Sequence, residues 1–212
     1  MDLMNPDAVT AAVVAAASSP WVYAAVFLLT LLDAFLVVVP SETVLVALGA
    51  LALSTGSPDV RLLVPLAAVA AIAGDSLTYW LGRSLRLERR AWARRPRINA
   101  VAAWARRSLD RRAAAVLLTA RFVPFGRIAV NLAAGTSRFP YRRFLGLTAV
   151  AGLCWSLYTV GVGALFGAWF DGNPLLAVAV SVVVALGLGF GVDRVSERVS
   201  AAKRRADGTS ES

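Results

Sequence analysis

Two arginines, Arg121 and Arg127, stand six residues apart in a run that is otherwise largely apolar, RFVPFGRIAVNLAAGTSRFPYRRF. An arginine at bilayer depth costs from about 2.5 to more than ~10 kcal/mol, so it persists where it is paired or faces water. Pro124 interrupts a helix here, and irregular backbone at membrane depth is tolerated where it lines a cavity or packs in protein. Asn131 and the small pair Ala134-Gly135 follow. Guanidinium groups so placed can grip a phosphate or a carboxylate through forked hydrogen bonds. The competing reading is a short amphipathic segment lying on the membrane with both arginines snorkelling. A matching set of acids lies upstream. Asp33 and Glu42 are nine residues apart with Pro40 between them, and Asp75 sits inside an apolar run beside Gly74. Carboxylates beside arginines in a wet cavity can exchange protons. The competing reading for Asp33 is a loop residue that caps a span at the membrane face.

These residues need elements to hold them. The chain has 212 residues, 58% hydrophobic and 17% charged, with a mean hydropathy of +0.66. That combination reads as an integral membrane protein built as one helical bundle. The net charge of +9 fits cytoplasmic loop asymmetry and contact with anionic lipid better than nucleic acid, for which no motif is present. There is no histidine, and Cys154 is the single cysteine. Imidazole catalysis, imidazole metal ligation and an intrachain disulfide are therefore excluded, and Cys154 reads as small core filler. No metal-ligand cluster or cofactor motif is seen. The first basic residue is Arg61, so the start lacks the positive region of a signal peptide.

Along the chain, residues 8–18 are rich in Ala and Val, and Ser18-Ser19-Pro20 breaks the pattern before Trp21 and Tyr23. Joined to the apolar run 21–32, that segment is expected to make one tilted span of about 25 residues. Residues 33–58 then read as a helix–break–helix hairpin with Asp33 and Glu42 at a water-facing apex. Residues 62–82 form the clearest span. The segment 83–112 carries eleven arginines against Glu88 and Asp110. It is expected on the cytoplasmic side as an amphipathic helix, with Trp92 and Trp104 embedded. A long span is expected over 144–170, a tight turn at 171–174, a return span over 175–192 and a basic cytoplasmic tail from Arg194. Glycines at 161, 163, 187, 189 and 191 are expected to allow close helix packing. The domain reading is 1–24 an N-terminal helix at the interface, 25–170 the membrane domain, 171–195 a C-terminal transmembrane helix and 196–212 a disordered basic tail.

A weak internal repeat links the halves. Pro40, Glu42, Leu48-Gly49-Ala50 and Pro58-x-x-Arg61 parallel Pro124, Arg127, Ala134-Gly135 and Pro140-x-x-Arg143. Ala73-Gly74, Tyr79 and Gly82 parallel Ala151-Gly152, Tyr158 and Gly161. With segment 83–112 inside, the first hairpin enters from outside. The second starts and ends inside, beside Arg138, Arg142 and Arg143. The expected fold is thus all-α and polytopic, with two opposed re-entrant helical hairpins in an inverted repeat, an architecture shared with many secondary transporters.

At these residues the chain resembles the DedA family, also described as the VTT or SNARE-associated domain group, over roughly residues 25–170. The motifs are Asp33 with Pro40-Ser41-Glu42, Gly74-Asp75-x-x-x-Tyr79-x-x-Gly82-Arg83, and Arg121-Phe122-x-Pro124-x-x-Arg127 with Ala134-Gly135 and Phe144. The chain differs from the family in carrying Asp at position 33 and a short gap before Pro-Ser-Glu. The resemblance implies that two acids and two arginines on opposed hairpins are essential. It also implies return of a lipid carrier such as undecaprenyl phosphate across the bacterial cytoplasmic membrane, dependent on the proton-motive force; eukaryotic relatives resemble lipid scramblases. The expectation is a non-enzymatic lipid transporter of flippase or scramblase type, with no cofactor and with membrane lipids as its partners. Arg121, Arg127 and Asn131 would bind the lipid phosphate, and Asp33, Glu42 and Asp75 would couple protons. The alternative is a proton-coupled antiporter of small cations or drugs, in which the arginines only balance the acids. A hydrolase is weaker still, because Ser41 beside Glu42 has no base. Nothing in the sequence sets the oligomeric state.

Overall fold

Apolar runs of uneven length set the architecture. The structure is a computed structural model, and it describes residues 6–35, 41–84, 107–109, 112–120, 126–169, 176, 178–180 and 183. All six bounded elements are helices: α1 (Pro6–Ser18), α2 (Trp21–Asp33), α3 (Ser41–Thr55), α4 (Val60–Ser84), α6 (Gly126–Thr136) and α7 (Tyr141–Trp169), with helical residues 112–120 forming α5. At 1.5 Å per residue α4 and α7 reach about 37 and 43 Å, more than a hydrocarbon core of about 30 Å. Both are long and apolar enough to cross a membrane. By the same rise α3 and α6 reach only about 22 and 16 Å.

The segment expected as one tilted span is two helices. α1 and α2 meet at 78° across Ser18-Ser19-Pro20. Ser18 Oγ there donates back to the Val14 carbonyl at 2.7 Å, and Pro20 has no N–H with which to continue the ladder. At the start of α2, the Tyr23 hydroxyl accepts from the Asp59 N–H at 3.0 Å. Hence α2 begins where the α3–α4 turn lies, and the α2–α3 hairpin starts and finishes at one end of the bundle.

Both short helices end on a left-handed residue, Gly56 with φ 78° and Arg138 with φ 56°. After α6, the Phe139 N–H reaches back to the Ala134 carbonyl at 3.0 Å and the Arg138 N–H to Gly135 at 3.1 Å. These bonds take up carbonyls that the helix end would leave unused. Asp59 Oδ1 accepts the Arg61 N–H at 2.8 Å, which caps the start of α4.

The inward faces are rich in small residues, the pattern of a bundle in lipid. On α4, Ala67, Ala70, Ala71 and Gly74 are buried whereas Leu62, Val69 and Leu77 are exposed. The close approaches are reciprocal. A Cβ on Gly49 of α3 would meet the Val160 carbonyl of α7, and one on Gly163 of α7 would meet the Val46 carbonyl of α3. Likewise a Cβ on Gly135 of α6 would meet the Tyr79 carbonyl of α4, and one on Gly82 of α4 would meet the Leu132 carbonyl of α6. Gly161, the expected counterpart of Gly82, has nothing within 4 Å of its Cβ position; Gly163 holds that place instead. Cys154, expected as core filler, is exposed.

These contacts fix directions. Glu42 with Trp155, Val46 with Gly163 and Ala50 with Gly167 advance together, so α3 runs parallel to α7. Asp75 with Asn131 and Gly82 with Thr136 advance together, so α6 runs parallel to α4. Tyr79 packs on Phe144 while Ala68 meets Gly152, so α4 and α7 are antiparallel. It follows that the first turns of α3 and α6 both lie partway along a long helix, and that their turns into α4 and α7 lie at opposite ends. Arg121, Pro124, Pro40, segment 85–106 with Trp92 and Trp104, glycines 187, 189 and 191, turn 171–174, most of 175–192 and the basic tail lie outside the described residues.

Candidate functional site

Arg127 occupies the first turn of α6 and reaches across to the end of α2. Its Nη2 donates to Asp33 Oδ2 at 2.9 Å and to the Asp33 carbonyl at 2.6 Å. Its Nε lies 3.7 Å from Asp75 Oδ1 on α4, and Asn131, one turn further along α6, donates through Nδ2 to that same oxygen at 2.9 Å. The side chains of Arg127 and Asp33 are only 15% and 16% exposed, and that of Asp75 is 4% exposed. Three helices therefore converge on one guanidinium. Charge-assisted bonds of this kind each contribute about 1.5–3 kcal/mol, and the burial that strengthens them makes an unpaired charge costly.

Local sequence explains the convergence. Gly82 and Gly135 let α6 lie directly on α4, which brings Asn131 opposite Asp75. Gly74 does the same for α2, since a Cβ there would meet Ala34 Cβ and lie 3.2 Å from the Leu31 carbonyl. The end of α2 is thereby held against α4, one residue from Asp75 in sequence.

Glu42 stands apart from this cluster. It is exposed in the first turn of α3, and Oε1 accepts from Trp155 Nε1 at 3.3 Å. The structure thus brings Asp33, Asp75, Arg127 and Asn131 together and gives Glu42 a different partner; Arg121 lies outside the described residues. Sequence reasoning missed Trp155. Its position at the middle of the long α7, away from the span ends where tryptophan usually anchors, was the only sequence hint. It also missed the hydroxyl of Thr30, which, like that of Ser41, is buried and has no hydrogen-bond partner among the described residues. Asp33 is three residues from Thr30 and Glu42 adjoins Ser41, so each acid has an uncommitted hydroxyl close to it in sequence.

Chemically, the cluster is a cation in the first turn of a short helix, shared by two carboxylates and braced by an amide. The half-positive end of α6 adds to the field that Arg127 sets up. An anion entering from a wet side would contend with Asp33 for the same Nη2 donor.

Comparison with known proteins bears on the whole arrangement. Residues 39–165 match the family model described as VTT domain. Protein DedA of Escherichia coli K12 is 30% identical over 183 residues, covering 78% of this chain and 80% of that protein. Undecaprenyl phosphate transporter A of Bacillus subtilis is 35% identical over 82 residues, 34% of this chain and 41% of that protein. An uncharacterized membrane protein of Mycobacterium leprae, ML0287, is 29% identical over 139 residues, 63% of this chain and 58% of that protein. No solved structure matches the chain.

Proposed function

The chain belongs to the VTT-domain family of DedA-like integral membrane proteins, and from that premise we propose that it moves a phosphorylated lipid across the bacterial cytoplasmic membrane. What carries this reading is the seat of Arg127, between Asp33 and Asp75 at the start of a helix too short to cross a bilayer. The name of the Bacillus subtilis relative favours a polyprenyl phosphate of the undecaprenyl class.

Arg127 takes the headgroup, with Asn131 beside it and Arg121 as the second guanidinium. In the resting arrangement Asp33 occupies Arg127. A proton on Asp33 weakens that hold and frees the fork for phosphate, and by reciprocity bound phosphate favours protonation of the acid. Asp75 keeps the guanidinium placed, and Glu42 serves as a further proton carrier on α3. No bond is made or broken, so the protein acts as a carrier and not as an enzyme. The reciprocal glycine contacts support reading α2–α3 and α5–α6 as re-entrant hairpins of an inverted repeat, with the site between them.

The test is transport in proteoliposomes loaded with polyprenyl phosphate or with a glycerophospholipid, with and without a proton gradient. The expected result is selective movement of polyprenyl phosphate that the gradient accelerates. Asp33→Asn should still bind the lipid phosphate and lose the response to the gradient. Absence of any lipid-phosphate binding by the wild type would overturn this reading. It would favour the cation antiporter, for which Arg127 already paired with two acids is the expected counter-charge.

A further inference from the structure

Four exposed arginines gather at the end of the bundle where α4 finishes and α7 begins: Arg83, Arg138, Arg142 and Arg143. Among the described residues none of them is ion-paired, in contrast to Arg127. Two are held in place by rings. Arg83 Nη1 donates to the Tyr79 hydroxyl at 3.1 Å, and its Cζ lies 5.5 Å from the centre of the Trp80 ring. The Tyr79 hydroxyl is fully buried and donates in turn to the Phe139 carbonyl at 2.6 Å. Arg143 contacts the same residue, with Cζ 5.7 Å over the Phe139 ring. Trp80 is 47% exposed and packs 5.3 Å from Tyr141.

A positive-inside bias by itself asks only for solvated charge. Here the guanidinium groups are seated. Ring faces fix a cation without neutralising it, and Arg83 commits one of its five N–H donors to Tyr79. Preplaced cations with unspent donors, next to a half-exposed tryptophan on a lipid-facing helix, match an anionic phosphodiester at the bilayer surface.

We propose that Arg83 and Arg143 bind the phosphodiester headgroup of an anionic membrane phospholipid, whose glycerol and first methylenes lie on Trp80 and Tyr141. This site is separate from Arg127. A lipid held there spans the end of α4 and the start of α7, and so braces the turn on which α6 hangs.

Binding is read by native mass spectrometry of the purified full chain, with phosphatidylglycerol and phosphatidylcholine of matched acyl chains. The wild type should hold phosphatidylglycerol about tenfold more tightly, the scale of one or two charge-assisted bonds. The double variant Arg83→Gln/Arg143→Gln should lose that preference. Arg61→Gln, at the opposite end, should keep it. Glycerol phosphate, a headgroup without chains, should displace the lipid poorly; equal potency would assign the site to a soluble phosphate and overturn the proposal. No preference in the wild type, or full preference in the double variant, overturns it as well. Circular dichroism checks the fold of each variant. Should the double variant misfold, Arg143→Gln alone, a change at an exposed side chain whose described contact is with the Phe139 ring, must lower the preference. All these readouts are of binding, so they are independent of the proposed transport.

Discussion

An arginine that serves two carboxylates is more exacting than one that serves a single partner. Arg127 uses Nη2 on Asp33 and faces Asp75 with Nε, a geometry that needs a planar group with donors on two edges. A lysine has one charged atom and can approach only one of these acids closely. Arg127→Ala leaves two low-exposure carboxylates without their cation, and breaking a buried pair in this way costs about 3–5 kcal/mol. Thermal unfolding in detergent should therefore show a marked loss for the alanine variant and a smaller one for Arg127→Lys. Transport of lipid phosphate should be lost in both, since charge alone does not reproduce the fork. Full transport by the lysine variant would show that a positive field suffices, and the forked picture would fail. Arg127 was legible in the sequence because a charge inside an apolar run demands a reason. Its pairing with Asp33, 94 residues away, is consistent with the charge balance expected between the two acids and the two arginines. The bond from Trp155 to Glu42 was not legible, because a tryptophan within a span looks like one more apolar residue until its N–H is seen to have a partner.

Helix contact here depends on missing side chains. At Gly135 and Gly163 a Cβ would overlap a carbonyl of the neighbouring helix, whereas at Gly146 and Gly161 it would meet nothing within 4 Å. Overpacking costs about 1–3 kcal/mol. Alanine for glycine at an uncrowded helix position stabilises by about 0.5–1 kcal/mol. Gly135→Ala and Gly163→Ala should accordingly lower the unfolding temperature, and Gly146→Ala and Gly161→Ala should leave it unchanged or raise it. Equal effects at all four positions would mean that α3–α7 and α4–α6 do not pack through these glycines. The sequence marked Gly49 and Gly135 through their small neighbours and drew Gly161 into the same class as Gly163. Helical periodicity separates them: positions 160, 163 and 167 share the face turned to α3, and 161 points away. The bend between α1 and α2 was visible as Ser18-Ser19-Pro20. Its angle depends on how α2 packs against α4, which composition does not convey.

The glycine crossings of α3 on α7 and of α6 on α4 are alike in spacing and differ in chemistry. The glycine contacts pair Val46 and Gly49 with Leu132 and Gly135, and Tyr79 and Gly82 with Val160 and Gly163. Carried along the helices, the first register takes Ser41 onto Arg127, and the second takes Asp75 onto Ser156. Thr78 falls on Thr159, and each bonds the carbonyl four residues earlier, at 2.9 and 2.8 Å. On the proposed repeat, the same frame would hold the Arg127–Asp75 contact in one half and two serines in the other. Such a repeat would be only weakly legible in sequence, because packing constrains the small residues at the crossings and leaves the rest free to diverge. If the halves are inserted in opposite senses, their turns must emerge on opposite faces of the membrane. The α3–α4 turn contains Asp59, and the α6–α7 turn contains Ser137, close to Arg138, Arg142 and Arg143. By the positive-inside rule the concentration of arginine leads us to expect the second turn on the cytoplasmic side. In a Cys154→Ala background, Ser137→Cys should react with a membrane-impermeant thiol reagent only in inside-out vesicles, and Asp59→Cys only in intact cells. Labelling of both from one side would place the two turns on the same face. α3 and α6 could not then reach the middle of the bundle from opposite faces, and a headgroup at Arg127 could not be exposed to each side in turn.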